Sequence, residues 1–387
     1  MGPLYGNAGF WRSLRKRKIF MHAPLHRVPA PRTSGSFIPS RIPEPVPAAL
    51  RHLLAAEPFA GRVRLTCSDW PARAGASHAV AMPVRNEIAL LPRALAAIEA
   101  AMIEARSETG GAGIAVFVVN DTRDASADCI RDWARDAPCG VALIEAEFDD
   151  TIRGAVHSRR LALDCAAALV RPGGALLTSD ADSHVAPGWI VRCLAELAAG
   201  ADLVCEDVRL DERELARLPD SVRRTGEAER TYFEASERLW QVWTAGRIGR
   251  FAYRASGASM AVSARAYRAI GGLPLPAIGE DAALCAEILR SGRRAVQLGD
   301  AGTRTSARIE GRAAGGCGGE LARRARSDDP ACDARLLPVY ELRKSAERRM
   351  HCGLATRERT PPMRLSEIER ELGKARRLLA EHEARDA

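Results

Sequence analysis

The chain has 387 residues, 47% apolar and 27% charged, which is the balance of a globular protein with one large α/β domain and extensions, or two ordinary domains. No run of 18 or more apolar residues occurs, which argues against a transmembrane segment. The formal net charge of +8 invites a nucleic-acid reading, but residues 1–43 hold eight Lys or Arg and no acid, so the leader carries the whole excess. The remaining chain is balanced, and a basic nucleic-acid face on the folded part is discounted.

Ten cysteines without a C-x-x-C pair or regular spacing argue against a zinc site and against a secreted disulfide framework. A reducing cytoplasm is the expected home, with a peripheral membrane position as the variant that the basic leader offers. That leader, "MGPLYGNAGFWRSLRKRKIF", lacks the apolar core of a secretory signal. It reads as a targeting or membrane-surface arm, as a tail without fixed structure, or as an extension upstream of a true start at Met21. Residues 1–77 together, rich in Pro, Arg and Ala, are expected to form a basic, poorly ordered extension with one short helix near residues 48–56.

From His78 the texture changes. "HAVAMPV" has the length of a buried strand, and the following helix places Leu91, Leu95, Ile98 and Met102 on one face. Next come the strand "GIAVFVVND", the helix "SADCIRDWARDA", the strand "GVALIEA", the helix "AVHSRRLALDCAAALV" and the strand "GALLTSDAD". A helix from about residue 187 and the strand "DLVCEDV" complete the series. Alternation of this kind, with strands apolar throughout, predicts an α/β fold with a mostly parallel, Rossmann-like sheet and helices on both faces. In such sheets ligands bind beyond the carboxyl ends of the strands. Arg85, Asn86 and Glu87, then Asn120 and Asp121, then Asp180 and Asp182 all stand at such ends.

Asp180 and Asp182 are two apart, so on strand geometry both carboxylates face one place, which is costly without a cation between them. An isolated Asp-x-Asp is more often a solvated turn; here its company changes the odds. Neither a G-x-G-x-x-G after the first strand nor a P-loop occurs, so nucleotide phosphates would be held through a hard divalent cation instead.

"VAMPVRNE", "FVVNDTRDAS", "LLTSDADSHVAPGW", "SGASMAVSARAYRAIGGLP" and "GEDAALCAEILRSGRR" resemble, in order and spacing, the motifs of the nucleotide-sugar glycosyltransferases of family 2, which have the GT-A fold. The resemblance spans about residues 78–312. It implies that Pro83 and Glu87 hold the nucleoside, that Asp121 recognises the base, and that Arg159 stands in the donor-binding segment, although "HSRR" replaces the usual Ala-Arg-Asn. It further implies that Asp180 lies near ribose and metal, that Asp182 binds Mg²⁺ or Mn²⁺, and that Asp281 is the catalytic base. Asn120 stands where an acid is common, and the Q-x-x-R-W motif of processive synthases is missing. Arg308 and Arg312, in "TSARIEGRAAGG", are candidates for a further hold on the diphosphate, against the plainer reading of surface charges.

The expected function is a metal-dependent, inverting transfer of sugar from a nucleoside diphosphate sugar to an acceptor hydroxyl, with Asp281 taking the proton. Two alternatives stand beside it: an inactive nucleotide-sugar-binding protein, and a nucleotidyltransferase of similar build, which would want a glycine-rich loop where this chain has "PVRNE". Glu280 and Asp281 open a helix, where acids also serve as caps. His184 beside the Asp-x-Asp is more often a loop residue than a ligand. In "TGEAERTYFEASERLWQVWTA", with a start expected at Thr225, Tyr232, Phe233, Trp240 and Trp243 suit core packing first and an acceptor face second.

The domain limits expected are 1–77, 78–315 for the catalytic domain, and 316–387 for a polar tail. Within the tail Leu365, Ile368, Leu372, Ala375 and Leu379 form a short apolar seam, able to dock on its own domain or to support weak self-association.

Overall fold

The computed structural model describes residues 46–72, 74–310, 315–352 and 361–386. Arg312 and the leader lie outside the described residues. The chain enters through helix α1 (Ala48–Ala55) and strand β1 (Val63–Asp69). The alternating series follows as β2 (Ala76–Val84), α2 (Leu91–Thr109), β3 (Gly113–Asn120), α3 (Ser126–Ala134), β4 (Gly140–Phe148), α4 (Ala155–Leu169) and β5 (Val170–Thr178). Then come β6 (Ser183–His184), α5 (Trp189–Ala198), β7 (Leu203–Leu210), α6 (Glu212–Leu215), α7 (Asp220–Thr244), β8 (Met260–Ser263) and α8 (Ala264–Ala269). The series closes with α9 (Glu280–Arg290), β9 (Ala295–Thr305), α10 (Cys317–Arg324), α11 (Val339–Cys352) and α12 (Leu365–Asp386).

One sheet runs β1-β4-β3-β2-β5-β8-β7-β9-β6. Strands β4, β3, β2 and β5 are mutually parallel, as are β7 and β9, while β1, β8 and β6 pair antiparallel with their neighbours. The expected α/β sheet is therefore present, with a parallel centre and antiparallel additions that the apolar pattern did not reveal.

Both faces of the sheet are buried, which is why its strands are apolar throughout. Ala79 and Ala81 of β2 pack with Val116 and Val118 of β3 beneath α4, α8 and α9. Their neighbours Val80, Met82 and Val84 pack with Ala115, Phe117 and Val119 against α2, α3 and α5. Each large apolar side chain so buried contributes about 1.5–3 kcal/mol. Helix α2 begins with Pro92 in its first turn and ends at Gly110, whose φ of 65° lets its N–H reach the Arg106 carbonyl.

Three expectations are corrected. The boundary at residue 78 is too late, because Leu50 and Phe59 are fully buried in the same core as Phe148, and β1 pairs along β4. Residues 317–352 and 361–386 hold the expected C-terminal amphipathic helix, α12, but are not otherwise a polar tail: with α10 and α11 they pack on α7, and Leu336, Leu342, Ile368 and Ala375 are buried against Tyr232, Phe233 and Trp240. Of the two roles open to the seam on α12, docking on its own chain is the one seen, with Ile368 and Ala375 at 0% exposure. Helix α7 starts at Asp220 rather than Thr225, whose hydroxyl donates to the Ser221 carbonyl inside the helix. Tyr232, Phe233 and Trp240 of α7 are core, as the plainer reading had it, with Trp243 half-buried against them: Tyr232 Oη donates to the Leu337 carbonyl at 2.6 Å and Trp240 Nε1 to the Gly249 carbonyl at 2.7 Å.

Candidate active site

A cleft of about 830 Å³ opens at the carboxyl ends of β2, β3 and β5. It is lined by Pro83, Glu87, Arg159, Asp180, Asp182, Asp281 and Arg308, seven of the residues singled out in the sequence. Topology explains their meeting. Parallel strands deliver the loops after β2, β3 and β5 to one edge. Because β8 runs antiparallel to β5, the segment leading into β8 arrives at that same edge, where Thr178 Oγ1 donates to the Gly257 carbonyl at 2.7 Å.

Two arginines organise the carboxylates. Arg159, 5% exposed, donates from Nη2 to Asp180 Oδ1 (2.7 Å), from Nε to Glu280 Oε1 (2.9 Å) and from Nη1 to the Gly257 carbonyl (3.0 Å). Burial opposes its charge, but Asp180 and Glu280 outweigh burial and leave it more firmly protonated than an ordinary arginine. Arg308 holds both oxygens of Glu87 at 2.6 and 2.7 Å and reaches Asp182 Oδ2 at 2.7 Å. The turn that carries Arg308 is tied by Glu214, which accepts from Ser306 Oγ and from the Ala307 N–H at 2.6 and 2.7 Å. Glu214 was not singled out in the sequence, and no motif there marks it.

Within this cluster the five carboxylates of Glu87, Asp180, Asp182, Glu280 and Asp281 face two guanidiniums. The imbalance is felt at Asp182, whose carboxyl is pushed up to about 6 by burial first, then by Asp180, with Glu87 adding to the effect against Arg308 and the Thr305 hydroxyl. Among the described residues no group of three or more Asp, Glu, His or Cys side chains forms a ready cation cage. Two carboxylates alone fit a divalent ion that completes its shell with phosphate oxygens.

Asp281 lies in the first turn of α9 and accepts from the Gly257 N–H at 3.2 Å and from the Ala282 N–H at 2.7 Å. Burial raises its carboxyl above the usual range, Glu280 adds to this, and the two N–H groups and Arg159 work the other way. The result is a carboxylate that is capped and yet faces the cleft. One side chain thus both satisfies a first-turn N–H of α9 and lines the cleft.

Asp121 is not among the lining residues. Its φ of 47° is left-handed, and its oxygens pair with Arg153 Nε (3.3 Å), the Phe148 N–H (3.3 Å) and Asn120 Nδ2 (3.1 Å). Asn120 explains itself here: it donates to Asp121 and accepts from Ser158 Oγ at 2.6 Å, a pair of roles that an ionised acid could not fill. Asn86, also left-handed at φ 53°, accepts from the Arg123 N–H at 2.7 Å and so ties the loops after β2 and β3 together. His184 is not among the lining residues; it pairs with Arg304 across β6 and β9, and its buried Nδ1 has no partner.

No protein-family model matches the chain, and no curated protein matches it. Solved structures with a similar fold do exist. A mannosyltransferase from Pyrobaculum calidifontis in complex with GDP-Man and Mn²⁺ is 18% identical, with 82% of this chain and 79% of that one covered and a TM-score of 0.44. TarS residues 1–349 from S. aureus are 14% identical over 60% of each chain, with a TM-score of 0.41. Glucosyl-3-phosphoglycerate synthase from Mycobacterium tuberculosis, with Mg²⁺ and UDP, is 14% identical over 66% of this chain and 79% of that one, with a TM-score of 0.36. At these scores the functional reading rests on the cleft itself. Among the described residues no helix is long and apolar enough to cross a membrane.

Proposed function

We propose that the chain is a metal-dependent glycosyltransferase that moves a sugar from a nucleoside diphosphate sugar to an acceptor hydroxyl with inversion. The observation that carries this reading is the meeting, in one cleft, of the Asp180–Asp182 pair, its two arginines and the carboxyl of Asp281.

Asp180 and Asp182 would hold Mg²⁺ or Mn²⁺, which when bound supplies positive charge to a departing diphosphate. Arg308 would exchange its hold on Asp182 for a phosphate oxygen while keeping Glu87. Arg159 keeps Asp180 and Glu280 in register through its buried fork. Asp281 takes the proton of the acceptor hydroxyl as the new bond forms from that oxygen to the anomeric carbon. The bond from the anomeric carbon to the diphosphate oxygen breaks on the opposite face, and the diphosphate leaves with the electron pair. Pro83, Glu87 and Asp121 serve the nucleoside, with Asp121 acting through Arg153.

The test is calorimetry with a panel of nucleoside diphosphates and their sugars, with Mn²⁺ and with EDTA, on the wild type and Asp182→Asn. One nucleotide class should bind in Mn²⁺ alone, and the variant should lose most of that affinity. Equal binding in all four conditions removes the metal from the reading. Binding without any turnover assigns the cleft to a nucleotide-sugar-binding protein.

A further inference from the structure

Four of the six exposed large hydrophobic side chains among the described residues stand at or next to the cleft. Leu275 (36% exposed) and Ile278 (60%) line it, Ile88 follows Glu87, and Ile309 follows Arg308. We infer that the acceptor presents its hydroxyl from an apolar body, an alkyl or isoprenoid chain, seated on the Leu275–Ile278 segment.

The inference rests on the glycosyl-transfer reading and concerns the side of the cleft that reading leaves undefined. The donor's phosphates belong with the arginines and the paired carboxylates. The acceptor must reach Asp281, and the wall leading to Asp281 along the chain is Leu275, Pro276, Ala277 and Ile278. This wall offers no side-chain donor or acceptor, and Pro276 lacks a backbone N–H. A plain polyol laid against it would leave hydroxyl groups desolvated and unpaired, whereas an apolar chain gains by covering it. The wall is also held in place. Gly271 and Gly272, with φ of 79° and 93°, turn the chain out of α8, and Arg160 fixes the turn by donating to the Leu273 carbonyl at 2.8 Å. Ile278 lies against Gly315, which also lines the cleft and where a side chain would collide with the Ile278 Cδ1. The exposed isoleucine is thus positioned by its surroundings rather than loose on the surface.

The probe is octyl β-glucoside at monomeric concentrations against methyl β-glucoside, titrated by calorimetry into the full chain. The octyl compound should bind at least about tenfold more tightly, the scale expected for apolar groups entering an apolar pocket. That preference should collapse in Ile278→Ser and in Leu275→Ser, and persist in Ile103→Ser, a control on an isoleucine of α2 whose exposure lies between theirs. Both test positions are exposed enough for the variants to fold, and circular dichroism checks it. Equal binding of the two glucosides, or a preference untouched by both substitutions, overturns the inference. Binding to phosphatidylcholine vesicles without preference among monomeric glucosides would assign the wall to a membrane surface and overturn it as well. Donor turnover in water, measured on the same wild-type protein, reports the underlying reading separately: turnover without octyl preference removes the acceptor wall alone, and octyl preference without turnover removes the glycosyl-transfer reading alone.

Discussion

Arg159 and Asp281 meet at one residue: Arg159 donates to the Gly257 carbonyl at 3.0 Å, and Asp281 accepts from the Gly257 N–H at 3.2 Å. The group that steadies the Asp-x-Asp and the proposed base therefore grip the two rigid peptide planes that flank one α-carbon, with only the φ and ψ of Gly257 between them. Gly257 has no room for a side chain, because a Cβ there would run into the Arg159 guanidinium. Gly257→Ala is expected to cost about 1–3 kcal/mol in denaturant unfolding, as overpacking does. It should also lower turnover by about 100-fold through misplaced groups. Full activity with full stability would show that Arg159 can move freely.

Asp281→Asn separates base from cap. Asparagine caps a helix about as well as aspartate but cannot take a proton. Nucleotide affinity should change little, and single-turnover transfer should fall by at least about 100-fold. Unchanged transfer leaves Asp281 with the capping role alone.

His78, fully buried with its Nε2 unpaired, is lowered by burial to about 4. A histidine depressed in the fold stays neutral there while the unfolded chain takes up a proton below about 6.5, so stability is lost as pH falls through the window from about 6.5 to 4. Replacing it by Asn removes this term. Wild type should lose up to about 3 kcal/mol more than His78→Asn across that window, read from urea unfolding at several pH values. Parallel pH profiles would show that His78 is protonated in the fold.

Ile368, fully buried between α12 and α7, tests where the C-terminal seam is used. Ile368→Ala should cost about 2–5 kcal/mol of stability, the range for a large-to-small core change. A change in sedimentation without a loss of stability would instead place the seam at an interface between copies.

A chain beginning at residue 78 lacks β1, Leu50 and Phe59, and so bares the edge of β4 and part of the core. It should aggregate on expression, as open sheet edges do, while one beginning at residue 46 keeps these elements. Soluble, folded protein from the shorter chain would restore the later boundary.

The central strands were legible because burial on both faces makes them unbroken apolar runs, and the ends of β2, β3 and β5 already displayed Glu87, Asn120, Asp180 and Asp182. Strand β1 escaped notice because it lies at an edge and is only half-buried, so its "VRLTCSD" looks like a polar linker. The roles of Glu280 and Glu214 were invisible for another reason. Each is defined by a partner far along the chain, 121 residues away for Glu280 with Arg159 and 92 for Glu214 with Ser306. Spacing in sequence carries no trace of such pairs. Asp121 was correctly placed at a strand end, yet nothing in the sequence foretold that Arg153 would stand between it and the cleft.

Arg308 grips Glu87 across 221 residues of chain. On a ribosome the loop bearing Glu87 emerges long before Arg308 exists, so the two-oxygen grip on Glu87 and the contact to Asp182 form only once the turn after β9 is made. A nascent chain or a proteolytic fragment ending before residue 308 would keep Arg159 beside Asp180 but leave Asp182 without the Arg308 guanidinium, and so could not present the finished cleft. The site is thus timed to the completion of the sheet: ligand can reward the whole molecule for folding, but not its first half.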